Sequence, residues 1–116
     1  MSSTTDPTSP ARIRQLSAQE LKSMLDDRVP LELLDVRTEA ERAIARIEGA
    51  RHLDEAEVER LQGLDRGTLL VFHCHHGFRS QAAAQHFVAQ GFTNVCNLSG
   101  GIDAWSAVID PSVRRY

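Results

Sequence analysis

The chain has 116 residues, 41% of them hydrophobic and 25% charged, with a formal net charge of -3 and an isoelectric point near 5.9. That composition supports one domain with a buried core and argues against wholesale disorder. The mildly acidic balance argues against a general nucleic-acid binder, because phosphate backbones reward concentrated positive charge, and no apolar run approaches the roughly 18 residues that cross a membrane.

Residues 1–11, "MSSTTDPTSPA", are rich in Ser, Thr and Pro and are expected to form a flexible tail. They have neither a basic start nor an apolar stretch, so they do not read as a signal peptide, and a cytoplasmic location is expected. The two cysteines, Cys74 and Cys96, are too few for a disulfide scaffold, and both are expected as thiols. An extended piece is expected at 13–15. In "SAQELKSMLDD", Ser17 and Glu20 have the spacing of a capping box, in which each side chain accepts from an otherwise unpaired amide. Leu21, Met24 and Leu25 follow at helical spacing. "LELLDV", residues 31–36, is short and mostly apolar, as a strand covered on both faces is.

Thr38 and Glu41 form a second capping box in "TEAERAIA", and residues 51–53 are expected as a brief strand. "DEAEVERLQGL" is a helix capped by Asp54, and its acidic run over 54–59 reads as a solvated face. "TLLVFH", residues 68–73, is the strongest strand signal in the chain. A helix is expected from about Ser80, with Ala82, Ala83 and Ala84 against the sheet, Phe87 and Val88 in the core, and Gly91 as a left-handed cap. "NVCNL" is the last strand, with Cys96 as a buried thiol. "GGIDAWSAV" is a glycine turn and a closing helix anchored by Trp105. Strands alternate with helices throughout, which predicts an α/β domain over 12–110. Its five-stranded, mostly parallel sheet carries helices on both faces, and 111–116 form a C-terminal tail.

Chemistry concentrates in "HCHHGFRS", residues 73–80. In open parallel sheets, ligands bind beyond the carboxyl ends of the strands, and Cys74 lies at such an end. Loop amides and the positive end of the following helix favour an anion there. Gly77 allows positive φ at no steric cost, and Arg79 supplies a permanent charge with fork-shaped donors. A thiol in this setting ionises more readily than free cysteine and is the expected nucleophile.

"CHHGFRS" resembles the active-site loop of single-domain rhodaneses, C-x-x-G-x-R-S. "LLDVRTEAE" is similar to the family's Asp-Val-Arg strand end, "ARIEGARHL" to its Gly-His-Ile-x-Gly-Ala segment, and "GFTNVCNLSGGIDAW" to its Gly-Gly-to-Trp stretch. The resemblance runs over about residues 13–108 and implies a rhodanese-like fold and a sulfurtransferase without metal or organic cofactor. Carried over, Cys74 attacks the outer sulfur of a donor such as thiosulfate or a persulfide, and then passes sulfur to a thiol or cyanide. The loop amides from His75, His76, Gly77, Phe78, Arg79 and Ser80 would hold the persulfide anion. Arg79 would hold the loop or steer the donor, and Asp35 and Arg37 would support the site. Two departures stand out. Ala45 and Arg46 replace the usual Gly-His, and His75 stands where many relatives carry Lys or Arg. A neutral histidine gives a weaker positive field, so modest thiosulfate turnover or another natural donor is expected.

Three other readings compete. Cysteine phosphatases use C-x5-R, but only four residues, "HHGF", separate Cys74 from Arg79, which makes a smaller cradle. A metal site at His73, Cys74, His75 and His76 is disfavoured, because consecutive residues diverge and structural zinc pairs keep two to four residues between ligands. His52 and His86 offer no evident partner. A partner-dependent module, relaying sulfur to or from a protein or only binding, is the third. The tail "IDPSVRRY" resembles the ends of rhodanese domains found beside sulfur-carrier-activating enzymes and monothiol glutaredoxins.

Overall fold

The computed structural model describes residues 13–116, so the tail expected over 1–11 lies outside the described residues. Five strands form one sheet: β1 (Ile13–Leu16), β2 (Glu32–Asp35), β3 (Arg51–His52), β4 (Leu70–His73) and β5 (Val95–Leu98). Their order is β1-β5-β4-β2-β3, and every pairing is parallel. The helices between and after them are α1 (Ala18–Asp26), α2 (Glu39–Ile44), α3 (Glu55–Gln62), α4 (Phe78–Ala89) and α5 (Gly101–Val108).

The pleat explains why the strands read as continuous apolar runs. Leu33, Val71, Cys96 and Leu98 point into one core, which Leu21 of α1 and Ile102 and Trp105 of α5 complete. Their strand neighbours Leu34, Leu70, Phe72 and Val95 point the other way, against Leu61 of α3 and Ala84 and Phe87 of α4. Both faces of the sheet are therefore covered.

Both capping boxes form, and Asp54 caps α3 through the Glu57 amide. Gly91 follows α4 with φ of 101°. Four expectations need correction. Thr68 and Leu69 precede β4, because the Thr68 amide closes a turn onto Asp65. α4 begins at Phe78 rather than near Ser80, because Gly77 already caps it. Ala82 faces solvent; Ala84 makes the buried contact and Ala83 packs partly. The acidic run is not uniformly solvated, since Glu57 is buried and held by Arg51 and Arg60.

Candidate active site

All four residues of β4 are buried, and the chain leaves the sheet at Cys74. Register places His73 beside Asp35 on β2, and Phe72 beside Asn97 on β5. The loop then turns at Gly77, whose φ of 103° lies in the left-handed region. A Cβ there would crowd the Leu98 carbonyl oxygen at 3.3 Å. The turn puts the first amides of α4 at the cysteine. The Gly77 amide donates to Sγ at 3.1 Å, the Ser80 amide does so at 3.4 Å, and the Ser80 hydroxyl lies at 3.3 Å.

α5 fixes the outer side of the same loop. The Ile102 amide donates to the Cys74 carbonyl at 2.9 Å, and the Asp103 amide to the His75 carbonyl at 3.1 Å. With both carbonyls turned to α5, the amides of the same planar peptides, those of His75 and His76, face away from it. Gly101 makes the approach close. A side chain there would overlap the carbonyls of Cys74 and His75, and its φ of 59° is left-handed as well. Gly101 of "SGG" thus belongs to the site, although it lies in another element.

Ser80 is locked by Asn97. Its hydroxyl donates to Asn97 Oδ1 at 2.6 Å, while the Asn97 amide donates to the Gly77 carbonyl at 3.1 Å and to Gln15 at 3.0 Å. Ser80 has a single hydroxyl proton. With Cys74 as a thiol, the chain of bonds runs from sulfur to Ser80 to Asn97; with Cys74 ionised, the hydroxyl can turn to the thiolate. Burial pushes the Cys74 thiol up, but the Ser80 hydroxyl and then the amides of Ser80, Gly77 and Arg79 outweigh it, so the net shift is down.

Under the loop lies a buried charge network. Arg37 grips Asp35 through Nε at 3.0 Å and a terminal nitrogen at 2.8 Å, and Arg42 reaches the same carboxylate at 2.7 Å. Burial opposes the Asp35 charge, yet the Arg37 hydrogen bonds hold its carboxyl below the usual range. His73 is fully buried, with Nε2 3.8 Å from Asp35 and no hydrogen bond on that atom. Desolvation keeps it neutral, with a pKa lowered to about 4. Arg37 continues outward to the Ala45 carbonyl at 2.6 Å and the Tyr116 hydroxyl at 3.0 Å. Tyr116 in turn donates to Glu41 at 2.8 Å, and Glu41 holds both arms of Arg79 at 2.7 and 2.9 Å.

Of the residues singled out in the sequence, Cys74, Gly77 and Ser80 meet at one sulfur. The Arg79 guanidinium is engaged by Glu41. His75 stacks between His76 and Tyr116, and Phe78 projects into solvent with 83% of its surface exposed. Asp35 and Arg37 sit beneath the loop, and Ala45 serves through its carbonyl. His52 does have a partner, the Arg37 carbonyl at 3.0 Å. Cys96 pairs in register with Val71, three residues before Cys74. That is about 10 Å of strand, too far for a disulfide. Sequence reasoning missed Glu41, Asn97, Gly101 and Tyr116. A polar Asn inside an apolar strand was the one visible signal.

Among the described residues, one trio places metal-ligating atoms within 4.8 Å of one another: His75, His76 and Asp103. It differs from the consecutive quartet weighed above, since His73 points to Asp35. Asp103 is already paired with Arg115 at 3.0 and 3.1 Å, and the two imidazoles are stacked rather than converging. No helix among the described residues is long and apolar enough to cross a membrane.

The chain matches the family model of the Rhodanese-like domain over residues 17–108. Thiosulfate sulfurtransferase GlpE of Pseudomonas aeruginosa is 33% identical over 109 residues, covering 93% of this chain and 90% of that protein. The protein of the same name from Pseudomonas putida is 42% identical over 78 residues, covering 65% and 69%. Among solved structures, a rhodanese-like domain protein from Staphylococcus aureus matches with a TM-score of 0.69 at 26% identity, covering 80% of this chain and 91% of that one.

Proposed function

The chain belongs to the rhodanese-like family and is a thiosulfate-sulfurtransferase-type transferase; from the loop geometry we propose that it carries the transferred sulfur as a persulfide on Cys74. The Cys74 thiolate attacks the outer sulfur of thiosulfate. The sulfur–sulfur bond of the donor breaks, and sulfite leaves with the bonding electrons. The terminal sulfur of the persulfide then carries the negative charge, which the amides from His75 to Ser80 and the start of α4 stabilise. An acceptor thiolate or cyanide attacks that sulfur, and Cys74 returns as a thiolate. Atoms and charge balance in both half-reactions, and no metal or organic cofactor enters.

One observation carries this reading: the Gly77 and Ser80 amides and the Ser80 hydroxyl converge on a single sulfur at a strand end. Arg79, held by Glu41, anchors the loop, and the buried Asp35–Arg37 pair supports it. Intact-protein mass after thiosulfate treatment tests the assignment. The expected result is a gain of one sulfur that disappears in Cys74→Ser. No gain with any sulfane donor would overturn it.

Phe78 favours a protein as the natural donor or acceptor. It stands almost fully exposed four residues from the nucleophile, where an apolar contact could anchor a docked partner. We place the enzyme in the cytoplasm, where reducing conditions keep Cys74 available. The rhodanese-like domain takes in 12–110, and 111–116 follow it as a C-terminal tail. Phe78→Ser should leave transfer to cyanide intact and slow transfer to a protein thiol; equal rates with both acceptors would remove the docking role.

A further inference from the structure

The segment that follows α5 returns to the active site. Ser106 Oγ bonds the Val113 carbonyl, the Asp110 carboxylate accepts from the Ser112 amide at 3.0 Å, and Arg115 grips Asp103 with two bonds. These contacts deliver Tyr116 to the loop, outside the residues 17–108 that the family model matches. Its ring lies on that of His75, with centroids 4.0 Å apart and planes 12° from parallel. His75 also stacks on His76 at 3.9 Å and 26°, so its imidazole is held between two rings. The stack buries His75 Nε2 without a hydrogen-bond partner, so packing rather than hydrogen bonding fixes this side chain.

The other end of Tyr116 meets the charge network. Its hydroxyl accepts from Arg37 and donates to Glu41, the carboxylate that engages Arg79. One side chain therefore touches both the residue after the nucleophile and the clamp on the loop arginine. Resting on the sulfurtransferase reading above, we propose that Tyr116 is a positioning residue for sulfur transfer. Its ring holds His75, and with it the amides around Cys74, while its hydroxyl holds Glu41 against Arg79.

The two ends have separable consequences. Loss of the ring frees His75 and His76, so the cradle spends less time in the transfer geometry, and kcat falls. Loss of the hydroxyl alone loosens Glu41. The clamp on Arg79, the loop's anchor, is then less firmly placed, and KM for thiosulfate rises.

The test is steady-state transfer from thiosulfate to cyanide by the full chain, with amide hydrogen exchange over residues 75–80 measured in parallel. Tyr116→Phe should keep kcat, with KM raised about twofold and only a small rise in loop exchange, while Tyr116→Ala should lower kcat about tenfold and speed exchange in the loop markedly. Tyr116→Leu fills similar volume without a stacking face and should behave as Tyr116→Ala, which covers the case where the smaller variant fails to fold. Unchanged kcat and loop exchange in both Ala and Leu variants would overturn the proposal, as would a Phe variant with kcat as low as theirs. If the unmodified chain transfers no sulfur, the sulfurtransferase reading fails instead. Loop exchange still decides whether Tyr116 holds the cradle.

Discussion

Cys74 and Cys96 lie on neighbouring strands of one sheet, the first just past the end of β4 and the second inside β5, and each exposes 1% of its surface. Burial raises the pKa of both thiols. At Cys96 it prevails over the weaker pull of Arg14, and the net shift is up. At Cys74 the Ser80 hydroxyl and three backbone amides reverse it, and the net shift is down. The same residue at the same depth is thus a packing group in one place and, in the other, a thiol biased towards the thiolate that the proposed transfer requires. Accessibility does not make that distinction; donors aimed at the sulfur do.

The largest expected effect is a difference in reactivity. At pH 7 iodoacetamide should modify Cys74 at least about tenfold faster than Cys96, because only the Cys74 sulfur has donors that stabilise its thiolate. Peptide-resolved mass spectrometry reads both rates in one sample, and comparable rates would dissolve the distinction. The next effect targets the geometry that aims the donors. Gly101→Ala forces a Cβ against the Cys74 and His75 carbonyls from a left-handed backbone. It should cost about 2–4 kcal/mol in urea unfolding, as strain and overpacking do, and slow Cys74 alkylation while sparing Cys96. A fully stable variant would show that α5 does not brace the loop.

How much of this contrast was legible beforehand depends on the range of each interaction. The capping boxes of Ser17 and Thr38, the turn at Gly77 and the strand ending at His73 are local, and the chain declares them within a few residues. The alternation of strands and helices also carried the parallel sheet. The clamp on Arg79 was not legible, because Glu41 lies 38 residues away and Tyr116 another 75 from Glu41. Glu41 already had a local explanation as half of a capping box, which hid its second role. Asn97 reaches Ser80 only because β5 lies beside β4. Ala82 failed for a simpler reason: three successive alanines cannot all face the sheet on a helix of 3.6 residues per turn.

A smaller effect isolates one donor. Ser80→Ala removes the hydroxyl from Sγ and leaves Asn97 Oδ1 without its partner. Cys74 alkylation near neutral pH should slow about threefold, as expected when one hydrogen bond to an anion is lost while the amides remain. An unchanged rate would assign the stabilisation to the amides alone.

The smallest effect is thermodynamic, and it carries opposite signs at the two thiols. An unfolded cysteine titrates near pH 8.5. Cys96 has a raised pKa when folded. Its contribution is fully present below the unfolded value and is lost as pH rises, because the unfolded chain sheds a proton that the folded chain keeps. Cys74 has a lowered pKa when folded. Its contribution is present above the unfolded value and is lost as pH falls through the folded one. Urea unfolding between pH 7 and 9.5 should therefore show stability falling less steeply with pH in Cys96→Ala and more steeply in Cys74→Ala than in the unmodified chain. Each slope changes by no more than about 1.4 kcal/mol per pH unit, the limit for one proton. Slopes that move in the same direction would mean that the two sulfurs do not differ in the folded state, and the assignment of Cys74 as a stabilised thiolate would fall with them.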